Sequence, residues 1–231
     1  MLVLMRFQWW RDAINALYKR DKPPPQQPTI MALAHVLQTH NITRYRLQKI
    51  LSTREEDILR KQPPASVTAL EHSAEGIHSQ LLYLQLEAAG IQDASADHAA
   101  SHIGKGVGLA GLLRGTAQWA QHRRTYLPED VCSEHGIRPD ALLQGDPTQG
   151  VRDVVFKIAS TAKAHLDVGR EAATVPTAAR PLFLPALAAG MYLDALEKVD
   201  FNVFDTNLIQ GGFSPLKYTM AVKWNMLRNT Y

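Results

Sequence analysis

Apolar residues recur at the spacing of an α-helix along nearly the whole chain, and no segment shows the alternation typical of a half-buried strand. Prolines at 23–25 and 63–64 and glycines at 90 and 136 interrupt this periodicity and predict helix ends. The pattern therefore predicts an all-α protein, with one domain over residues 1–231 and about eight to ten helices. The main helices are expected over residues 1–19, 29–40, 43–61, 67–89, 151–173, 178–198 and 215–228. Another helix opens at Ser95 or Asp97 and carries the segment around Arg114, and shorter helices are expected up to residue 135 and over 139–143.

The composition fits one folded domain. Of the 231 residues, 45% are hydrophobic and 20% are charged, which is enough to bury a sizeable core. Cys132 is the single cysteine, so an internal disulfide is excluded and a reducing compartment such as cytosol or matrix is favoured. The net charge of +3 favours contact with anionic lipid or an acidic partner. No basic run is interleaved with aromatic residues, which argues against a nucleic-acid partner.

The segment RGTAQWAQHRRTYLP, residues 114–128, carries the most information about function. It resembles the second aspartate-rich segment of squalene and phytoene synthases, in which an Arg-Asp-x-x-Glu-Asp run is followed by Arg-x-Tyr-Leu-Pro. The residues that match this pattern are Arg114, Arg124, Tyr126, Leu127 and Pro128. The three acidic positions of the pattern are occupied by Gly115, Gln118 and Trp119.

The resemblance implies that these acidic residues, where present, hold Mg²⁺ against a prenyl diphosphate from one helix face. Glycine, an amide and an indole do not replace carboxylates as ligands of a hard cation. We therefore expect no catalytic residue, no metal site and no cofactor in this chain. Trp119, if it points inwards, would narrow or plug the channel that admits isoprenoid tails in active relatives. The alternative is that the helix rotates slightly and Trp119 caps the surface.

The resemblance to this family extends along the whole chain. Trp9 and Trp10 lie in a tryptophan-rich helix that precedes a proline turn, as in the family. Residues 50–58 follow a segment with two acidic positions, of which Ser52 occupies the first and Asp57 retains the second. Asp57 is expected to have an architectural role. The family's first aspartate-rich motif precedes the tryptophan helix, so we expect an isoprenoid-synthase-like helical bundle that lacks the family's N-terminal helices.

Within the family, several strings resemble the members that act as assembly factors of mitochondrial respiratory complex I. They lie at residues 80–84, 96–105, 123–128, 151–154, 199–201 and 230–231, and the longest reads ADHAASHIGK. This resemblance implies a non-catalytic assembly factor on the matrix side of the mitochondrial inner membrane, in peripheral contact with that membrane. The expected partners are complex I assembly intermediates or other assembly factors.

Three arginines, Arg114, Arg123 and Arg124, are candidates for contact with a phosphate or a lipid headgroup. A guanidinium group binds phosphate through two hydrogen bonds without any metal. The alternative is that Arg124 and Tyr126 only anchor the loop before Pro128. The second functional hypothesis is therefore a protein that binds an isoprenoid diphosphate or a lipid, or a transferase with residual prenyl synthase activity.

His98 and His102 lie four residues apart on one predicted helix face, a spacing that suits a transition metal. Asp97 is adjacent to this pair. No third ligand follows at a recognised spacing, so a role on the helix surface or in a polar part of the core is favoured.

Overall fold

The computed structural model of the protein describes residues 2–19, 23–145, 147–171 and 174–231. These residues form helices joined by loops and contain no strand, which confirms the predicted all-α class. Met1 and Ala173, the outer ends of two predicted helices, lie outside the described residues.

Twelve α-helices follow one another in the described part of the chain, more than the eight to ten that were predicted. A π-helical turn divides one predicted helix, Gly115 divides another, and α11 was not predicted. The α-helices are α1 (Leu2–Lys19), α2 (Pro28–Thr39), α3 (Arg44–Leu59), α4 (Val67–Ala74), α5 (Gln80–Ala88), α6 (Ala94–Arg114), α7 (Thr116–Gln121), α8 (Glu129–Glu134), α9 (Gln149–Glu171), α10 (Pro185–Lys198), α11 (Thr206–Ile209) and α12 (Pro215–Arg228). The π-helical turn is Glu75–Ser79, and two 3₁₀ helices are Pro139–Gln144 and Arg180–Phe183.

Helix α6 begins slightly earlier than the sequence predicted. Oδ1 of Asp93 accepts a hydrogen bond from the backbone N–H of Ala96 at 2.8 Å, so Asp93 is the N-cap residue. The predicted starts at Ser95 and Asp97 are wrong. The carboxylate of Asp93 already accepts a hydrogen bond from a free N–H of the first helical turn, so the helix begins directly after Asp93.

Helix α6 lies at the centre of the main core, in contact with α4, the π-helical turn, α5, α9 and α10. Glycines on α6 allow two of these neighbours to approach closely. A Cβ atom added at Gly104 would lie 2.5 Å from Cα of Ser79, and one added at Gly106 would lie 2.7 Å from Cδ2 of Leu166. The packing therefore excludes a side chain at both positions.

A second, smaller apolar cluster joins α1, α2 and α3. It includes the buried residues Ala13, Ile14, Leu17 and Ile30. Helix α3 also contacts α5 and the π-helical turn, so it connects this cluster to the main core. Asp57 lies near the end of this connecting helix.

We expect Gly104→Ala to lower the free energy of unfolding by about 1–3 kcal/mol, the usual result of overfilling a packed interior. The added methyl group would meet the backbone of Ser79. Gly111→Ala is the matched control on the same helix, because an added Cβ there has nothing within 4 Å. That control should stabilise the protein by roughly 0.5–1 kcal/mol through helix propensity. Chemical denaturation measures both variants, and equal stabilities would contradict the close approach of α6 to the π-helical turn.

Candidate functional site

Asp57 is bound on both carboxylate oxygens. Its Oδ2 accepts a hydrogen bond from Oη of Tyr126 at 3.0 Å, and its Oδ1 accepts one from Arg60 at 2.8 Å. Arg124 donates to the backbone oxygen of Asp57 at 2.8 Å and lies 3.5 Å from Oδ1. The side chain of Asp57 is 15% exposed, so two guanidinium groups and a phenol largely replace water around the carboxylate.

The loop after α7 folds back on the end of α3. Arg123 has a φ of 53°, in the left-handed region where residues other than glycine are uncommon. This reversal allows the N–H of Arg124 to donate to the backbone oxygen of Trp119 at 3.0 Å. Further along, the N–H of Glu129 donates to the backbone oxygen of Pro64 at 2.9 Å, which ties the start of α8 to the loop after α3.

The indole of Trp119 fills the space beside Gly115. A Cβ atom added at Gly115 would lie 2.6 Å from Nε1 of Trp119. The same ring is half-buried against the main core and meets Tyr126 edge-on, with 5.7 Å between ring centroids. Cζ of Arg124 lies 5.9 Å from the indole centroid. Asp57, Arg60, Trp119, Arg124 and Tyr126 are together called the Asp57 cluster.

Tyr126 acts as a hydrogen-bond donor in this cluster. Burial raises the pKa of Tyr126, and the negative charge of Asp57 raises it further, against the opposing charge of Arg124. The phenol therefore keeps its proton near neutral pH and donates it to the carboxylate. The Asp57 cluster is a network in which donors and acceptors are matched, the arrangement that makes a buried polar group stable.

Two other predicted ligand positions have local roles. The hydroxyl of Ser52 donates to the backbone oxygen of Lys49 in its own helix at 3.0 Å. Gln118 is exposed on α7. Among the predicted positions, the structure places Gly115 against Trp119, and Tyr126 links Trp119 to Asp57. Ser52 makes its hydrogen bond within α3.

The predicted phosphate contacts differ in their surroundings. Arg114 and Arg123 are exposed, whereas Arg124 is half-buried and already bonded to Asp57. Contact of these three arginines with a phosphate or a lipid headgroup remains a prediction.

A second polar network lies between α4, α6 and α9. The Nδ1 atoms of His102 and His165 are 2.9 Å apart, and Nε2 of His165 lies 2.6 Å from Oε1 of Glu71. The rings of His98 and His102 are 4.7 Å apart between centroids. Two ring nitrogens at hydrogen-bonding distance share one proton between them, so Nδ1 of His102 is engaged in a hydrogen bond. Burial lowers the pKa of His102, and the charges of His165, His98 and Lys105 lower it further.

In residues 2–19, 23–145, 147–171 and 174–231, no group of three or more histidine, cysteine, aspartate or glutamate side chains is arranged to hold a metal ion. In the same ranges, no helix has both the length and the apolar character that crossing a bilayer requires. The ring of His98 packs against that of His102, and His102 is the member of the pair that contacts His165.

Sequence reasoning missed three members of these networks, namely Arg60, Glu71 and His165. Arg60 follows Asp57 by three residues at a helix end, a spacing that does indicate an ion pair. Glu71 and His165 are 94 residues apart, and no local spacing connects them.

The sequence profile of squalene/phytoene synthase matches residues 2–215. The chain belongs to the squalene/phytoene synthase family. This confirms the family that the sequence between Arg114 and Pro128 indicated. The fold also agrees with those of two solved structures. Squalene synthase HpnC from Alicyclobacillus acidocaldarius aligns with a TM-score of 0.77 at 19% identity, covering 86% of this chain and 75% of that chain. A dehydrosqualene synthase in complex with ligand aligns with a TM-score of 0.80 at 16% identity, covering 94% and 76%.

Curated relatives are more similar in sequence than these structures are. NADH dehydrogenase (ubiquinone) complex I, assembly factor 6 from Rattus norvegicus is 40% identical over 208 residues, or 90% of this chain and 62% of that protein. The protein of the same name from Homo sapiens is 38% identical over 229 residues, or 99% of this chain and 67% of that protein. The chain therefore spans between three fifths and two thirds of the length of these two relatives.

Asp57→Asn tests the matched network of the Asp57 cluster. The amide keeps the size of the side chain but removes the charge that faces Arg60 and Arg124. We expect the free energy of unfolding to fall by about 1.5–3 kcal/mol, the range for hydrogen bonds to charged groups. Glu56→Gln removes a charge from the exposed neighbouring residue and should change it by less than about 0.5 kcal/mol. If thermal denaturation gave both variants the stability of the wild type, the carboxylate would have no structural role.

A double-mutant cycle tests the contact between Gly115 and Trp119. Gly115 has a φ of −81°, which alanine adopts without strain, so any loss in Gly115→Ala arises from the indole. We expect that substitution to lower the free energy of unfolding by about 1–3 kcal/mol in the presence of Trp119. The loss should disappear in a Trp119→Ala background. Denaturation of the wild type, both single variants and the double variant completes the cycle, and additive effects would contradict the contact.

Proposed function

We propose that this chain is a non-catalytic assembly factor for mitochondrial respiratory complex I, built on a phytoene synthase-like shell without the acidic ligands for Mg²⁺. Its proposed place of action is the matrix side of the inner membrane, in peripheral contact with the bilayer. Its proposed partners are complex I assembly intermediates or other assembly factors.

The likeness to relatives named complex I assembly factor 6 supports the assembly role. It extends over 90% of this chain for the rat protein and 99% for the human protein. The likeness to a phytoene synthase from Thermus thermophilus covers 48% of this chain at 29% identity. Because the chain spans only part of the assembly-factor relatives, their role is extended to it as a proposal.

The engagement of Asp57 is the observation that carries the non-catalytic part of the proposal. Mg²⁺ needs oxygen ligands in near-octahedral geometry and is usually held through carboxylates. Both oxygens of Asp57 already accept hydrogen bonds, and the adjacent guanidinium groups of Arg60 and Arg124 repel a dication. Gly115 and Trp119 carry no side-chain oxygen. These residues do not fit a magnesium diphosphate site, and no step of prenyl transfer is assigned to them.

Binding of an isoprenoid diphosphate or a lipid headgroup by Arg114, Arg123 and Arg124 is the competing function. A phosphate at Nη2 of Arg124 would compete with the backbone oxygen and the carboxylate of Asp57, which that nitrogen already contacts. That competition weighs against phosphate binding at Arg124 and so favours the assembly role over the competing function.

We expect the chain to restore assembled complex I when it is expressed in the mitochondria of cells that lack their own assembly factor of this type. Native gel electrophoresis and NADH oxidation measure the restored complex. The purified protein, incubated with farnesyl or geranylgeranyl diphosphate and Mg²⁺, should yield no prenyl product by mass spectrometry.

Three outcomes of these experiments would change the proposal. A product that is lost in Asp57→Asn and retained in Glu56→Gln would overturn the non-catalytic role. A chain that is imported and folded but fails to restore complex I would overturn the assembly role. Tight binding of the diphosphate without Mg²⁺ and without turnover would favour the competing function of a carrier.

A further inference from the structure

Helix α12 presents one apolar face to solvent. Leu216, Met220, Trp224 and Leu227 are 69%, 62%, 55% and 80% exposed. Their spacing of four, four and three residues places them on one face of the helix. A surface helix of a globular protein usually turns such a face towards the core. These four residues are called the outer stripe.

The opposite face of α12 packs on the protein. Tyr218, Ala221, Val222 and Asn225 are half-buried, and α12 contacts α10. The outer stripe is therefore the face that points away from the body of the protein.

Hydrogen bonds at the carboxyl terminus fix this orientation. Nη1 of Arg180 donates to the backbone oxygen of Asn229 at 2.8 Å, and Nε of Arg170 donates to that of Tyr231 at 3.1 Å. Oη of Tyr231 donates to the backbone oxygen of Gly169 at 2.9 Å. The end of the chain is thus anchored to α9 and to the 3₁₀ helix that precedes α10.

The net positive charge of the chain comes from the segment that contains this helix. The whole sequence has 25 basic and 22 acidic residues, and no acidic residue follows Asp205. Lys217, Lys223 and Arg228 are the basic residues of that last segment, so the first 205 residues balance at 22 of each sign. On a helical projection Lys223 lies on one side of the outer stripe, and Lys217 and Arg228 lie on the other.

We propose that α12 is an interfacial helix that binds an anionic lipid membrane. The outer stripe enters the boundary between headgroups and acyl chains, and the flanking basic residues meet the phosphates. The 14 residues of α12 measure about 21 Å, so the helix lies in the interface without spanning it. This proposal names the surface for the peripheral membrane contact of the proposed function and rests on it.

Charge distinguishes a membrane from a second copy of this chain as the occupant of this face. A two-fold dimer through α12 would bring the same patch of Lys217, Lys223 and Arg228 against itself, with no acidic residue in the segment to oppose it. An anionic bilayer supplies both the apolar phase and the opposite charge.

Vesicle flotation with the whole chain tests the proposal, using phosphatidylcholine alone and phosphatidylcholine mixed with phosphatidylglycerol. We expect binding to the anionic vesicles that weakens with salt. Met220→Glu should lower the partition coefficient about ten-fold or more, since it replaces an inserted apolar side chain with an anion. Lys217→Gln combined with Lys223→Gln should lower it about five-fold for each charge removed.

Met5→Glu is the matched control, because Met5 on α1 has the same 62% exposure as Met220. It should bind as the wild type does. Binding should also shift the fluorescence of the wild type to shorter wavelength, and Trp224→Phe should reduce that shift.

Equal loss of binding in Met5→Glu and Met220→Glu would overturn the proposal, as would equal binding to neutral and anionic vesicles. A concentration-dependent dimer that Met220→Glu dissociates, in a protein that binds no vesicles, would assign the face to a second copy and also overturn it. Wild-type protein that restores complex I without binding vesicles overturns this inference and leaves the assembly role intact. Protein that binds vesicles through α12 but fails to restore complex I would support membrane binding by α12 and contradict the assembly role.

Discussion

The close approach of α6 to its neighbours is the constraint on which the rest of the structure depends. Gly104 and Gly106 on α6 and Gly169 on α9 each face an atom so near that no side chain fits between them. The absence of these side chains lets α6 bury ten of its residues among the surrounding helices. The end of α6 is thereby fixed, and α7 begins at Thr116, with Gly115 as the one residue between the two helices. The position of Trp119 follows from this packing.

The Asp57 cluster connects that fixed end to α3 and so to the smaller apolar cluster. A partly buried carboxylate is costly unless its charge is paired and its oxygens are hydrogen-bonded. Arg60, Arg124 and Tyr126 meet both conditions for Asp57. Under the proposed function, Asp57 keeps a structural role where no magnesium is held, because its carboxylate pairs with two arginines and connects the two clusters.

The sequence alone predicted the helical class and most helix positions, because the apolar period and the proline and glycine breaks are local signals. Contacts between distant segments could not be predicted from the sequence, because no local spacing connects the residues involved. Arg152 and Asp200 lie in two strings that carried the family resemblance, and they form an ion pair at 2.6 Å across 48 residues. Periodicity also predicted α12, but it does not distinguish a helix whose apolar face is buried from one whose apolar face is exposed. The structure makes this distinction, because Tyr218 and Val222 are half-buried whereas the residues of the outer stripe are exposed.

The anchored carboxyl terminus relates the outer stripe to the rest of the shell. Tyr231 is held by Arg170 and by the backbone of Gly169 on α9, and α9 packs along α6. A bilayer bound to α12 would therefore hold both central helices at one orientation to the membrane plane. Under the proposed function, this would favour encounter with a partner at the membrane, because restricting the orientation of the chain reduces the rotational entropy lost on encounter. Under the proposed function, the fold contributes rigidity to the assembly role, and that contribution does not depend on catalysis.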